Sequence, residues 1–235
     1  MTHVFEKELD KLNKKLLALS AMVEESLRQA FAAVDTRDVA RAQAVIVGDR
    51  SIDEAEIEVE EECLKVLALH QPVAGDLRYL VAVIKINNEL ERIGDLATNI
   101  AERALQLAEV PPVTVPVDLL IMAERVESML ERAIDALVNR DPGVARQVMA
   151  ADDEVDDLYA QLLEQLKDMI RADLSAIDAI VYIFSVARYL ERLADHAPNI
   201  SEDVLYMVEG EIFRHQGHVA IRVTTSHVRS RGETR

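Results

Sequence analysis

Residues 90–100 read LERIGDLATNI and residues 190–200 read LERLADHAPNI. Leu, Glu, Arg, Asp, Asn and Ile keep the same spacing in both, 100 residues apart. Glu91 and Asp95 stand four residues apart, as do Glu191 and Asp195. In a helix such residues stack on one face, and Asn99 and Asn199 continue those faces by a turn. Two carboxylates so placed repel each other. Packing alone keeps apolar residues in a repeat, so the repeated acids point to a purpose beyond packing.

The repeat extends outward from these stretches. Leu16-Leu17, Val23-Glu24, Leu27, Arg37-Asp38, Asp49 and Asp53 return 103 residues later. There they are Leu119-Leu120, Val126-Glu127, Leu130, Arg140-Asp141, Asp152 and Asp156. The difference of three residues between the two offsets belongs in the turn before the third helix, where a loop absorbs it. Phe5, Leu9, Leu12, Leu16, Leu19, Val23, Leu27, Phe31 and Val34 step by three or four, which makes a long helix with one buried stripe. Breaks rich in Pro, Gly, Asp or Ser fall near residues 35–38, 70–76, 109–116, 139–143 and 171–175. Asp141-Pro142 reads as an N-cap followed by a first-turn proline. Six long helices are predicted. The fold class is all-α, two tandem three-helix bundles related by internal duplication and a pseudo-twofold. The first unit spans 1–110 and the second 117–213, split at the Pro-rich Val110–Pro116. Residues 214–235 hold five Arg and one acid, and are expected to form a mobile basic tail.

Composition agrees with this reading. Half the residues are apolar but only 4% are aromatic, and Trp is absent, which suits packed helices better than a sandwich or barrel. A net charge of -17 is the wrong sign for a nucleic-acid binder and favours cations or basic proteins as partners. The one cysteine, Cys63, excludes an internal disulfide and reads as a small core residue. No apolar run approaches the ~20 residues of a membrane span, and the first residues lack an apolar signal region. A soluble, cytoplasmic protein is expected.

Four acid-x-x-x-Asp pairs follow: Asp49/Asp53, Glu91/Asp95, Asp152/Asp156 and Glu191/Asp195. If the second and third helices of each unit are antiparallel, each unit brings two pairs to the same height, counted at ~1.5 Å per residue from the turn. Carboxylates facing across a helix groove suit a hard or borderline ion such as Mg, Mn, Fe or Zn. A solvated acidic face, paired with Arg92, Arg192 or Lys85, explains the acids equally well. Glu24 and Glu127 reach a similar height on the first helices and are weaker candidates. Arg92 and Arg192 are expected to brace the carboxylates, and His196 to lie at the surface or behind the ligands. No nucleophile–base pair and no phosphate-binding loop is present in the sequence, so catalysis is unsupported. A regulator, a metal-free helical scaffold and a metal-dependent hydrolase remain as readings.

The run Gln71-Pro72-Val73-Ala74-Gly75-Asp76-Leu77-Arg78, with residues 90–100, resembles the first signature of PhoU proteins. Tyr189 through Ile200, followed by Tyr206-Met207-Val208-Glu209-Gly210-Glu211, resembles the second. The resemblance covers about residues 5–215. It implies two three-helix bundles whose motif acids bind metal ions. It further implies Asp49, Asp53, Glu91, Asp95, Asp152, Asp156, Glu191 and Asp195 as ligands. A negative regulator of phosphate uptake and of phosphate-starvation signalling is implied, acting on the ATPase subunit of the Pst transporter and on the phosphate-sensing histidine kinase. A homodimer, held at the membrane only through its partners, belongs to the same expectation. The sequence departs at Leu193-Ala194-Asp195, where the family more often has Ile-Gly-Asp.

Overall fold

The computed structural model describes residues 3–210. The basic segment expected to be a tail lies outside the described residues. Helix α1 spans His3–Thr36, α2 Val39–His70, α3 Ala74–Glu109, α4 Val117–Asn139, α5 Pro142–Met149, α6 Asp152–Ala172 and α7 Ile177–Glu209. A single 3₁₀ turn, Leu174–Ala176, leads into α7. No strand occurs among the described residues.

The stripe of α1 is buried from Phe5 to Val34, with Leu9 and Phe31 half-buried against the same core. Helix α1 packs on α2 and α3, and α4 packs on α5, α6 and α7. The largest contact between the halves joins α3 to α7, and α1 also meets α4. One continuous apolar core therefore runs through both halves. Lys85 reaches Asp203 at 2.7 Å and Glu89 reaches His196 at 2.6 Å, so α3 and α7 run antiparallel.

The turns form for local reasons. Asp38 accepts the backbone N–H of Arg41, and Asp141 accepts those of Gly143 and Val144, with Pro142 in the first turn. Arg37 and Arg140 each precede the cap with positive φ. The Arg37 guanidinium donates to the Leu107 and Val110 carbonyls at 2.8 and 3.0 Å, which ties this turn to the end of α3. Arg140 instead lies over the Tyr79 ring, 5.4 Å from its centre, and links the halves.

One expectation needs correction. The middle helix of the second unit is not continuous but breaks at Ala150–Ala151 into α5 and α6. Ala151 N–H turns back to Val148 and Glu154 N–H to Ala151, tighter bonds than an α-helix makes. Asp152, Asp153 and Glu154 then fill the first turn of α6, where the helix dipole favours negative charge. That acidic triplet is a helix-start signal that the i, i+4 reading of Asp152 and Asp156 passes over.

Gly94 fixes how closely α2 and α3 approach. A Cβ there would stand 3.1 Å from Ile52 Cγ2 and 3.8 Å from Asp49 Oδ1. The second half has Ala194 at the matching position. In Gly94→Ala the helix gains ~1 kcal/mol of propensity, which offsets most of the push on Ile52. Gly94→Val adds branched bulk against Ile52 and is expected to cost about 2 kcal/mol. Urea unfolding of the two variants beside the native chain measures the difference.

Candidate functional site

The eight acids fall into two clusters, one in each half. Asp49 and Asp53 on α2 confront Glu91 and Asp95 on α3, and Asp152 and Asp156 on α6 confront Glu191 and Asp195 on α7. Asp49, Glu91, Asp152 and Glu191 are half-buried, whereas Asp53, Asp95, Asp156 and Asp195 are exposed. Each cluster is thus a groove wall, open on one side to water.

The electrostatics follow from that placement. Burial first, then Asp53 and Asp95, hold Asp49 above the usual carboxylate range, while the adjacent Thr98 hydroxyl pulls the other way. That hydroxyl is buried and makes no well-formed hydrogen bond. Glu91 is raised by burial and then by Asp95, Asp53 and Glu56, against the pull of Arg92. Asp152 is pushed up to about 6, by burial first and then by Asp195, Asp156, Asp153 and Glu191. Glu191 and Asp195 rise for the same two reasons, opposed in part by Arg188 and Arg192 at Glu191 and by His196 and Arg192 at Asp195.

Arg92 and Arg192 do not brace the clusters as expected. Both are exposed, and among the described residues neither bonds to any of the eight acids. One residue from Glu91 or Glu191 is ~100° around the helix, so each guanidinium leaves the groove. Lys85 is engaged with Asp203 instead. His196 Nδ1 and Asn199 Nδ2 both meet Glu89 Oε2, at 2.6 and 3.1 Å, so His196 serves the α3–α7 seam. Cys63 is buried and its thiol is pushed up to about 12, mainly by burial, so it is inert.

Glu24 and Glu127 also part from the clusters. They line a cavity of about 320 Å³ between α1 and α4, together with Arg28 and Glu131. Burial raises both carboxyls, and Glu131 adds to it. Matching height on the first helices did not mean a matching face.

The donor chemistry fits a hard cation. Each cluster offers four carboxylates that repel one another and, among the described residues, form no ion pair with a basic side chain. In the first half, the orphaned Thr98 hydroxyl stands beside Asp49. In the second, Pro198 lacks an N–H, which frees the Ala194 carbonyl from its helical bond next to Asp195. Among the described residues no three acidic, imidazole or thiol groups converge into a ready coordination sphere.

Glu56 was not anticipated from the sequence. It sits three residues after Asp53, within reach of the first cluster, and accepts the Asn87 amide at 2.9 Å. Its spacing on the Asp49/Asp53 face was the available signal. Its counterpart 103 residues on is Tyr159, so a search for repeated acids discards it.

The family model for the PhoU domain matches the chain twice, over residues 16–104 and 119–204. The chain belongs to the PhoU domain family. The matches begin 103 residues apart and end 100 apart, the two offsets found in the sequence. A phosphate-specific transport system accessory protein PhoU homolog from Aquifex aeolicus is 38% identical over 97% of this chain and 98% of its own. One from Pseudomonas putida is 36% identical over 91% of this chain and 84% of its own. The crystal structure of PhoU from Pseudomonas aeruginosa superposes with a TM-score of 0.84 at 36% identity, over 88% of this chain and all of that one. The phosphate transport system regulatory protein PhoU from Streptococcus pneumoniae gives 0.82 at 28% identity, over 88% of this chain and 98% of its own.

A raised carboxyl favours the protonated fold, so its penalty is full above its folded pKa and fades as pH falls toward the unfolded value. For Asp152 the window runs from about 6 down to 3.8. With chelator present, Asp152→Asn should gain stability relative to the native chain as pH rises from below to above that window. The gain should be about 1 kcal/mol after allowing for solvent exposure. Thermal unfolding across the window checks it.

Proposed function

We propose that this PhoU-family protein is an accessory regulator of phosphate transport that restrains uptake and keeps phosphate-starvation signalling off. It is a metal-binding adaptor and not a catalyst. Its partners are the ATPase subunit of the Pst transporter and the phosphate-sensing histidine kinase. It acts as a cytoplasmic homodimer that meets the membrane only through those partners. Among the described residues no helix is long and apolar enough to cross a membrane. The relatives carry the transport part of this reading in their names.

The observation that carries the metal part is the duplicated pair of carboxylate grooves without basic partners. Asp49, Asp53, Glu91 and Asp95 hold one ion or cluster, and Asp152, Asp156, Glu191 and Asp195 the other. Binding draws the side chains inward by rotation about their χ angles, from open grooves to closed spheres. Mg, Mn, Fe or Zn converts a repulsive acidic patch into a neutral or positive one. Such a patch accepts a partner's carboxylate or phosphate, which an acidic surface otherwise repels.

Two measurements test the proposal. Metal-stripped protein should take up Mn, Fe or Zn, and an Asp95→Ala/Asp195→Ala double variant should take up at least tenfold less with helicity unchanged. Absence of uptake by the native chain sinks the metal reading and leaves a solvated acidic face. Separately, deleting the gene should leave starvation genes on in phosphate-rich medium. Normal repression in a deletion strain with no second family member sinks the regulator reading.

A further inference from the structure

The outer face of α7 changes character along its length. Glu191 and Asp195 occupy its middle, and the preceding turns of the same face carry Ile177, Val181 and Phe184, with Leu174 ahead of them in the 3₁₀ turn. These are 72%, 44%, 49% and 39% exposed. Spaced by three or four, they form one apolar stripe of the kind that usually packs on another helix.

The matching face of α3 keeps one exposed member, Leu77 at 42% in the place of Ile177, and differs beyond it. Val81 and Ile84, at the positions of Val181 and Phe184, are half-buried. Arg78 and Asn88 stand where α7 has Asp178 and Arg188, and Arg78 is packed against Gly210. Only the stripe on α7 has opposite charges at its two ends. Asp178 and Arg188 are exposed and, among the described residues, form no ion pair, although the Arg188 charge also lowers the Glu191 carboxyl one turn on. Ten residues separate them, ~15 Å along the axis.

That order is self-complementary. Two copies of α7, antiparallel about a twofold between Val181 and Phe184, set the apolar side chains against each other. The same operation brings Arg188 of each copy beside Asp178 of the other. A foreign partner must match this order by chance, whereas a second copy matches it by symmetry. We infer that the face running from Leu174 in the 3₁₀ turn to Arg188 of α7 docks a second copy of this chain in antiparallel twofold contact. The inference rests on the homodimer reading above and names its surface.

Sedimentation velocity with EDTA present keeps metal bridging out of the measurement. The native chain should sediment as a dimer. Phe184→Glu should be monomeric with an unchanged helical spectrum. D178R or R188D alone should weaken association about tenfold, and the double swap D178R/R188D should restore it. A native dimer that tolerates Phe184→Glu, or single swaps that the double swap does not rescue, overturns the surface and spares the dimer. A native monomer overturns both.

Discussion

Four carboxylates held half out of water across a helix groove repel one another, and the rest of each half is arranged to outweigh that repulsion. No basic side chain is spent inside the groove. The opposition comes instead from the buried stripes of α1, α2 and α3 in one half and α4, α6 and α7 in the other. Leu16, Leu19, Leu80, Leu90 and Ile100 are fully buried, each contributing roughly 1.5–3 kcal/mol of transfer free energy. Except for Asp152 at the start of α6, the acids sit on mid-helix backbone, so repulsion cannot separate them without unpacking that core. What remains free to move is the side chains. A groove built this way holds its negative charge on a scaffold that does not relax.

The seam between α3 and α7 couples the two grooves. Glu89 lies two residues before Glu91 on α3, and His196 directly follows Asp195 on α7. Burial alone raises the Glu89 carboxyl, but His196 and Asn199 outweigh it and hold the group below its ordinary value. A charged Glu89 therefore faces away from the first cluster and into the seam, tied to the helix that carries the second. Lys85 does the same further along, bridging to Asp203 and lying 5.2 Å from the centre of the Tyr206 ring. The basic groups that the acidic faces lack are found here, between the halves.

The fold was legible because a duplication supplies its own comparison. Helix periodicity, the Asp38 and Asp141 caps and the two offsets all spoke for the same three-helix unit. The eight acids were legible for the same reason, since both copies retain them. What the sequence hid is what the copies do not share. Glu56 faces Tyr159, Thr98 faces Pro198, and Asp153 faces Arg50 across the repeat. The break at Ala150–Ala151 falls where the first half runs unbroken through Val47-Gly48. Direction around a helix was the second obscurity. Glu24 stands at the right height but turns toward α4, and Arg92 stands beside the acids in sequence but a quarter turn away in space.

These departures make the two grooves unequal. The first has a continuous α2, a glycine that lets α2 and α3 touch, and a fifth acid, Glu56, engaged with Asn87. The second begins a helix at one of its own acids, with Asp152 in the first turn of α6 and Asp153 crowding it. There the helix N-terminus favours the charged acids while burial and then their acidic neighbours oppose it, and the Asp152 carboxyl rises to about 6. Proline in α7 then frees a carbonyl where the first half offers a hydroxyl. The second groove holds the more strongly repelling set on the shorter helix, beside the exposed stripe of α7. The first holds a fuller donor set on longer, closer-packed helices. One duplicated frame thus carries two acidic grooves that differ in helix continuity, in donor set and in how strongly their acids repel.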